Sequence, residues 1–196
     1  MMVSGKLLLG MFTMKKIILI ITDNLRTQIN GVVTTFNNLT EHAEQDGYHV
    51  EFIDPSKFCY IDAPSYPEVK LSLPWNIGRH ILSTKPDHIH IATEGPIGLA
   101  ARIWCDRHGL KYNTSYHTKF PEFLKKLYGI PENITYWYVR WFHKHSGKVL
   151  TTTKTMVEDL KSHGFNGDII PWTRGVQKSI FRKDLRDTNR PTDVIT

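Results

Sequence analysis

The sequence predicts an α/β fold in which a doubly wound, mostly parallel sheet carries helices on both faces. Three observations carry that reading. The run Lys15–Thr22, with Ile17, Ile18, Leu19, Ile20 and Ile21 in succession, has the composition of a strand buried on both faces, as parallel sheets require. Strand-like runs then alternate with helical spacings along nearly the whole chain. Turn residues punctuate the junctions, as at Asn30-Gly31 and Glu94-Gly95-Pro96.

Each element follows from its own pattern. After the first strand, Asp23 to Gly31 is polar and turn-like. A helix should follow, with Val32, Val33, Phe36, Leu39, Thr40 and Ala43 on one face and Gly47 as its stop. His49–Ile53 reads as the second strand, completing a unit whose crossover is right-handed. Residues 54–75 hold four prolines and read as a long functional loop. Asn76–Thr84 reads as a short helix and His88–Ala92 as a strand. Pro96 opens another helix, carrying Ile97, Ala100, Ala101 and Trp104 and ending at Gly109. A short strand from Tyr112 to Tyr116 delivers His117, and Pro121 is expected to stop regular structure there. In Glu132–His145, Ile134, Trp137, Tyr138, Trp141 and Phe142 keep helical spacing and read as a core stripe. Lys148–Thr152, Lys154–His163 and Asp168–Ile170 complete the pattern as strand, helix and strand.

A chain of 196 residues is long enough for one well-buried domain, and 40% hydrophobic with 22% charged residues excludes a disordered chain. Cys59 and Cys105 form neither a disulfide framework nor a zinc motif, which fits a reducing, cytoplasmic setting. The formal charge of +6 points to anionic partners. Between Lys111 and Lys148 seven basic residues face two acidic ones among many aromatics. A basic face around an anionic substrate ranks first, a peripheral contact with the inner membrane surface second, and nucleic acid last, so none is expected as a partner. The apolar run Leu7–Phe12 is too short to span a membrane and lacks a cleavage site. Met14 reads as the natural start, with residues 1–13 a non-structural extension.

Candidate chemistry gathers at junctions that follow strands, where open α/β sheets bind ligands. His117 can hold or give a proton near neutrality and stands among Ser115, Tyr116, Thr118 and Lys119. Its competing reading is a core histidine at a strand end. Asn30-Gly31-Val32 places helix-start N–H groups beside a glycine, an arrangement suited to anions. It is neither G-x-G-x-x-G nor a P-loop. A carboxylate at Glu94, beside Gly95, can bind sugar hydroxyls or else cap the following helix. Arg174 and Gly175, after the last strand, can meet a phosphate or form a surface turn. His88 and His90 lack a third ligand, and His143 and His145 point apart, so no metal is expected. No Gly-x-Ser-x-Gly elbow supports hydrolase chemistry.

Taken together, ITDNLRTQINGVVTT, SLPW, PDHIHIATEGPIGLAAR, SYHTKFPE, YVRWFHKHS and WTRGV resemble the amino-terminal half of GT-B-fold glycosyltransferases. The likeness is to the family 4 retaining enzymes that transfer mannose or glucose, and it runs from about Lys15 to Phe181. It implies a Rossmann-like domain at 14–182, with 183–196 as linker to a carboxy-terminal donor domain expected on a separate chain or lost. It also implies a GDP- or UDP-hexose donor as substrate, a lipid or saccharide acceptor, front-face transfer and no cofactor. By likeness Gly31, flanked by Asn30 and Val32, approaches the donor diphosphate. His117 contacts the transferred sugar. Glu94, Gly95, Tyr116, Thr118 and Lys119 line the acceptor side, and Arg174 and Gly175 lie between domains. One departure is Gln177, where family members commonly carry Asp. The expectation is a half-enzyme nearly inactive alone. A non-catalytic module binding a sugar or an anionic headgroup is the reading from another class.

Overall fold

The computed structural model describes residues 15–63 and 66–172, the side chains of 66–68 excepted. Residues 1–13, Arg174, Gly175, Gln177 and the 183–196 tail lie outside the described residues. The chain begins with β1 (Ile17–Ile21), α1 (Gly31–Gln45) and β2 (His49–Ile53), then a 3-10 turn at Pro55–Lys57. A hairpin of β3 (Tyr60–Ala63) and β4 (Tyr66–Ser72) precedes α2 (Ile77–Thr84), β5 (His88–Ile91) and α3 (Pro96–Arg107). Next come β6 (Asn113–Tyr116), α4 (Phe120–Tyr128) and α5 (Glu132–His143). Last are β7 (Val149–Thr151), α6 (Lys154–Ser162) and β8 (Ile169–Pro171).

Six strands form one parallel sheet in the order β2-β1-β5-β6-β7-β8. The predicted fold class stands. Alternation along β1 divides the core, because successive side chains of a strand point to opposite faces. Leu19 and Ile21 pack with Ile77 and Ile81 of α2 and Ile97 and Ala101 of α3. Ile18 and Ile20 pack with Phe36 and Ala43 of α1. A third cluster joins Tyr116, Val139, Val149, Met156, Leu160 and Phe165. Each wholly buried Leu or Ile contributes about 2 kcal/mol. Since the chain runs from β1 to one side and returns to β5 on the other, the β1/β5 boundary is the topological switch point.

Three expectations need correction. Residues 54–75 are not a structureless loop: they fold as the 3-10 turn and the antiparallel β3–β4 hairpin. A two-stranded ribbon tolerates Pro67, since its strands keep unpaired edges. Pro121 does not end regular structure either. It occupies the first turn of α4, where a missing N–H costs nothing. The aromatic stripe of α5 is core only in part: Phe142 is buried and Tyr138 and Trp141 pack against the core, while Ile134 and Trp137 are 56% and 60% exposed and Thr135, Tyr136, Val139 and His143 complete the buried face.

Candidate functional site

The loops that follow β1, β5 and β6 share the carboxyl rim of the parallel sheet. Asn30 caps α1, its side-chain oxygen accepting from the Val32 and Val33 N–H groups at 3.0 and 2.9 Å. An anion approaching this turn therefore competes with the cap for two helix-start donors. Gly31 itself is exposed and Val32 half-buried. The space enclosed beside Val32 and Phe36 measures only about 10 Å³, so a diphosphate there would lie on the domain's surface.

His117 stands half-buried one residue beyond β6. Phe36 of α1 meets its ring edge-on at 5.7 Å, and Trp172 lies 6.4 Å from it. Gly31 precedes Phe36 by five residues, roughly 7.5 Å along the helix axis. The glycine turn and the imidazole thus share one rim, linked through the Phe36 ring. Beneath them His90 of β5 holds Ser115 Oγ at 2.6 Å. Burial, and then the neighbouring His117, push His90 down to about 3, so it stays neutral. His88, on the same strand, is exposed, and the two histidines share no site.

The Glu94 backbone carbonyl accepts from Tyr138 Oη at 2.7 Å. Its carboxylate turns inward, placing Oε1 3.3 Å from His143 Nε2, within ion-pair range but without hydrogen-bond alignment. His143 Nδ1 lies 2.7 Å from Thr114 Oγ1, which donates to Ser146. Thr118 and Lys119 are exposed on the rim, with Lys119 Nζ 3.7 Å from Glu122 and 3.5 Å from Asp159. Tyr116 is not a rim residue. Its ring is wholly buried among Val139, Val149 and Leu160, with the carboxylates of Glu94, Glu122 and Asp159 near enough to act on its hydroxyl. Burial, with those carboxylates, pushes its ionisation upward.

Asp23 escaped the sequence reading, which treated 23–31 as a turn. Its carboxylate reaches across the switch point and caps α3, accepting from Ile97 N at 2.7 Å, Gly98 N at 3.3 Å and Thr93 Oγ1 at 2.7 Å. The role considered for Glu94 therefore belongs to Asp23. Burial pushes Asp23 up to about 6, against the lowering by Thr93, Ile97 and Gly98; Glu94 adds to the rise. Gly95 permits this close approach, since a Cβ there would stand 2.5 Å from Asp23 Cγ. No local signal marks a cap supplied from seventy residues away. Among the described residues no group of three His, Cys, Asp or Glu side chains could hold a metal ion. Nor is any helix there long and apolar enough to cross a membrane.

The family model described as Glycosyltransferase Family 4 matches residues 29–179, more than three quarters of the chain. Comparison with curated proteins gives no match.

Proposed function

The chain belongs to glycosyltransferase family 4, and from that premise we propose that it forms the acceptor side of a hexosyltransferase. The proposed reaction moves mannose or glucose from a GDP- or UDP-sugar to a lipid or saccharide acceptor with retention of configuration. One observation carries the reading beyond the family: Asn30-Gly31-Val32, Glu94-Gly95 and His117 follow β1, β5 and β6 and converge on one rim around the switch point. In transfer, a bond forms from an acceptor oxygen to the anomeric carbon while the bond to the diphosphate breaks, and the acceptor's proton passes to the departing phosphate oxygen. Negative charge grows on the departing phosphate, and the helix-start N–H groups of Val32 and Val33, once the Asn30 side chain yields them, stabilise it most where charge develops. His117 meets the sugar, and the Glu94 carboxylate, by turning from His143, orients the acceptor hydroxyl. Thr118 and Lys119 complete the acceptor rim.

Differential binding of the transition state also needs groups that grip the nucleotide and sugar of the donor, so this acceptor-side domain by itself should turn over negligibly. The test joins it to the donor-binding domain of a family member and follows labelled hexose into lipid and saccharide acceptors. Transfer should appear only in the joined protein. His117→Ala should then lower kcat/KM by ~100-fold or more, the usual scale for losing one positioned group that meets the developing transition state. Full turnover by the separate chain would overturn the half-site reading. An unchanged rate in the variant would remove the imidazole from the site.

A further inference from the structure

The Glu94 carboxylate, which the proposed transfer needs at the rim, meets a buried imidazole that no step of that transfer uses. His143, 1% exposed, places Nε2 3.3 Å from Glu94 Oε1, yet both atoms are buried and neither makes a hydrogen bond. A hydroxyl relay on the other side of the ring explains why. Ser146 Oγ lies 2.6 Å from the Lys148 carbonyl, which can only accept, so the single Ser146 hydroxyl proton is committed there. Thr114 Oγ1, 3.0 Å from Ser146 Oγ, must then donate to it. With its own proton engaged, Thr114 accepts from His143 Nδ1 at 2.7 Å. The relay therefore holds a neutral imidazole with its proton on Nδ1 and a bare lone pair on Nε2. Two acceptors then face each other across the Glu94 contact with no proton between them. The opposite tautomer would donate from Nε2 and hold the carboxylate inward.

We infer that His143 is a positioning residue: the Thr114–Ser146–Lys148 relay fixes its tautomer so that it withholds a hydrogen bond from Glu94 and leaves the carboxylate able to turn toward a ligand hydroxyl. Naming that hydroxyl the acceptor's rests on the transferase reading; the tautomer and the release of Glu94 do not. Neighbouring groups work in the same direction. The Tyr138 hydroxyl is engaged by the Glu94 backbone carbonyl, and Asp23 brings like charge close to the Glu94 carboxylate.

The test labels the histidines of the full chain with nitrogen-15 and reads each ring's tautomer by NMR near neutral pH. The His143 signals are those missing from His143→Gln. Wild-type His143 should carry its proton on Nδ1. Ser146→Ala releases the Thr114 proton to Nδ1, so the ring should switch to Nε2–H. Because Ser146 is only half-buried, that variant should keep its melting transition. Carbodiimide coupling of a labelled amine, mapped by mass spectrometry, reads the carboxylate in the same samples. Glu94 should couple roughly tenfold more slowly in Ser146→Ala, the strength of one charge-assisted hydrogen bond. Thr114→Val, which removes the acceptor from Nδ1, should move both readouts the same way. A wild-type ring protonated on Nε2, alone or with Nδ1, would overturn the inference. So would an unswitched ring in Ser146→Ala, or a switched ring with unchanged Glu94 coupling. Neither readout involves a nucleotide sugar. In the joined protein, Ser146→Ala should raise the acceptor KM by roughly tenfold while kcat holds within about twofold. A joined protein that transfers nothing, with both readouts as expected, would sink the transferase reading alone. Transfer whose acceptor KM is indifferent to the tautomer would sink this inference alone.

Discussion

Asp23 and the two glycines around it show how single atoms hold the rim together. The Asp23 carboxylate binds α3 to the end of β1, and Gly95 and Gly98 let the strand ends and the helix start approach closely. A methyl at residue 95 would meet the Asp23 carboxyl at 2.5 Å, which must turn away and release Ile97. Gly95→Ala should therefore cost ~1–3 kcal/mol through overpacking and loss of the cap. At residue 98 the methyl would meet the Thr93 backbone oxygen at 1.9 Å, where no rotamer offers relief. Gly98→Ala should destabilise more than Gly95→Ala. Urea midpoints with unchanged slopes would verify the order, and equal midpoints would contradict it.

The elements were legible where local pattern and tertiary demand agree. The isoleucine run of β1 and the Asn30-Gly31 turn before α1 are such cases, since strand composition and turn chemistry are local properties. Legibility failed in α5, where helical spacing marked five large residues but could not say which way the helix rolls. Two buried polar partners set the roll. His143 is held by Thr114, and Arg102 of α3 donates to the carbonyls of Trp141 and Phe142 while its guanidinium lies 3.8 Å over the Trp141 ring. Spacing alone would make Trp137 and Phe142 equivalent, but their exposure says otherwise. Phe142→Ala should cost ~3–5 kcal/mol and Trp137→Ala about 0.5 kcal/mol or less. Arg102→Leu leaves the Phe142 carbonyl without its guanidinium donor, the Trp141 carbonyl with only the Lys144 N–H, and Asp106, 3.3 Å away, without this cation. A loss of ~2–3 kcal/mol is expected, read from thermal or urea unfolding, with Arg102→Lys restoring only part because it lacks the planar fork.

For the molecule as a whole, the six strands of the parallel sheet were readable and the β3–β4 hairpin was not, because repeated β–helix–β units permit few right-handed arrangements while a hairpin lies outside that pattern. The rim was readable for the same reason: each candidate loop follows a strand. Long-range links between those loops were not, since the partners of Asp23 lie seventy or more residues away. Two half-buried groups near the rim also give the molecule opposed pH dependences. Asp23, raised from 3.8 to about 6, favours the folded state most below pH 3.8, and that stabilisation is lost as pH rises through 6. His90, lowered from 6.5 to about 3, stabilises most above pH 6.5, and that contribution is lost as pH falls toward 3. Between pH 4 and 6 the two slopes partly cancel. Asp23→Asn removes the first slope while keeping an oxygen to accept from Ile97, so its stability should fall more steeply than the wild type's on acidification from pH 7 to 4. His90→Gln should do the reverse, flattening the acid limb. Urea midpoints of the three proteins across that range separate the two groups, and parallel profiles would show that neither carboxyl nor imidazole is buried as described.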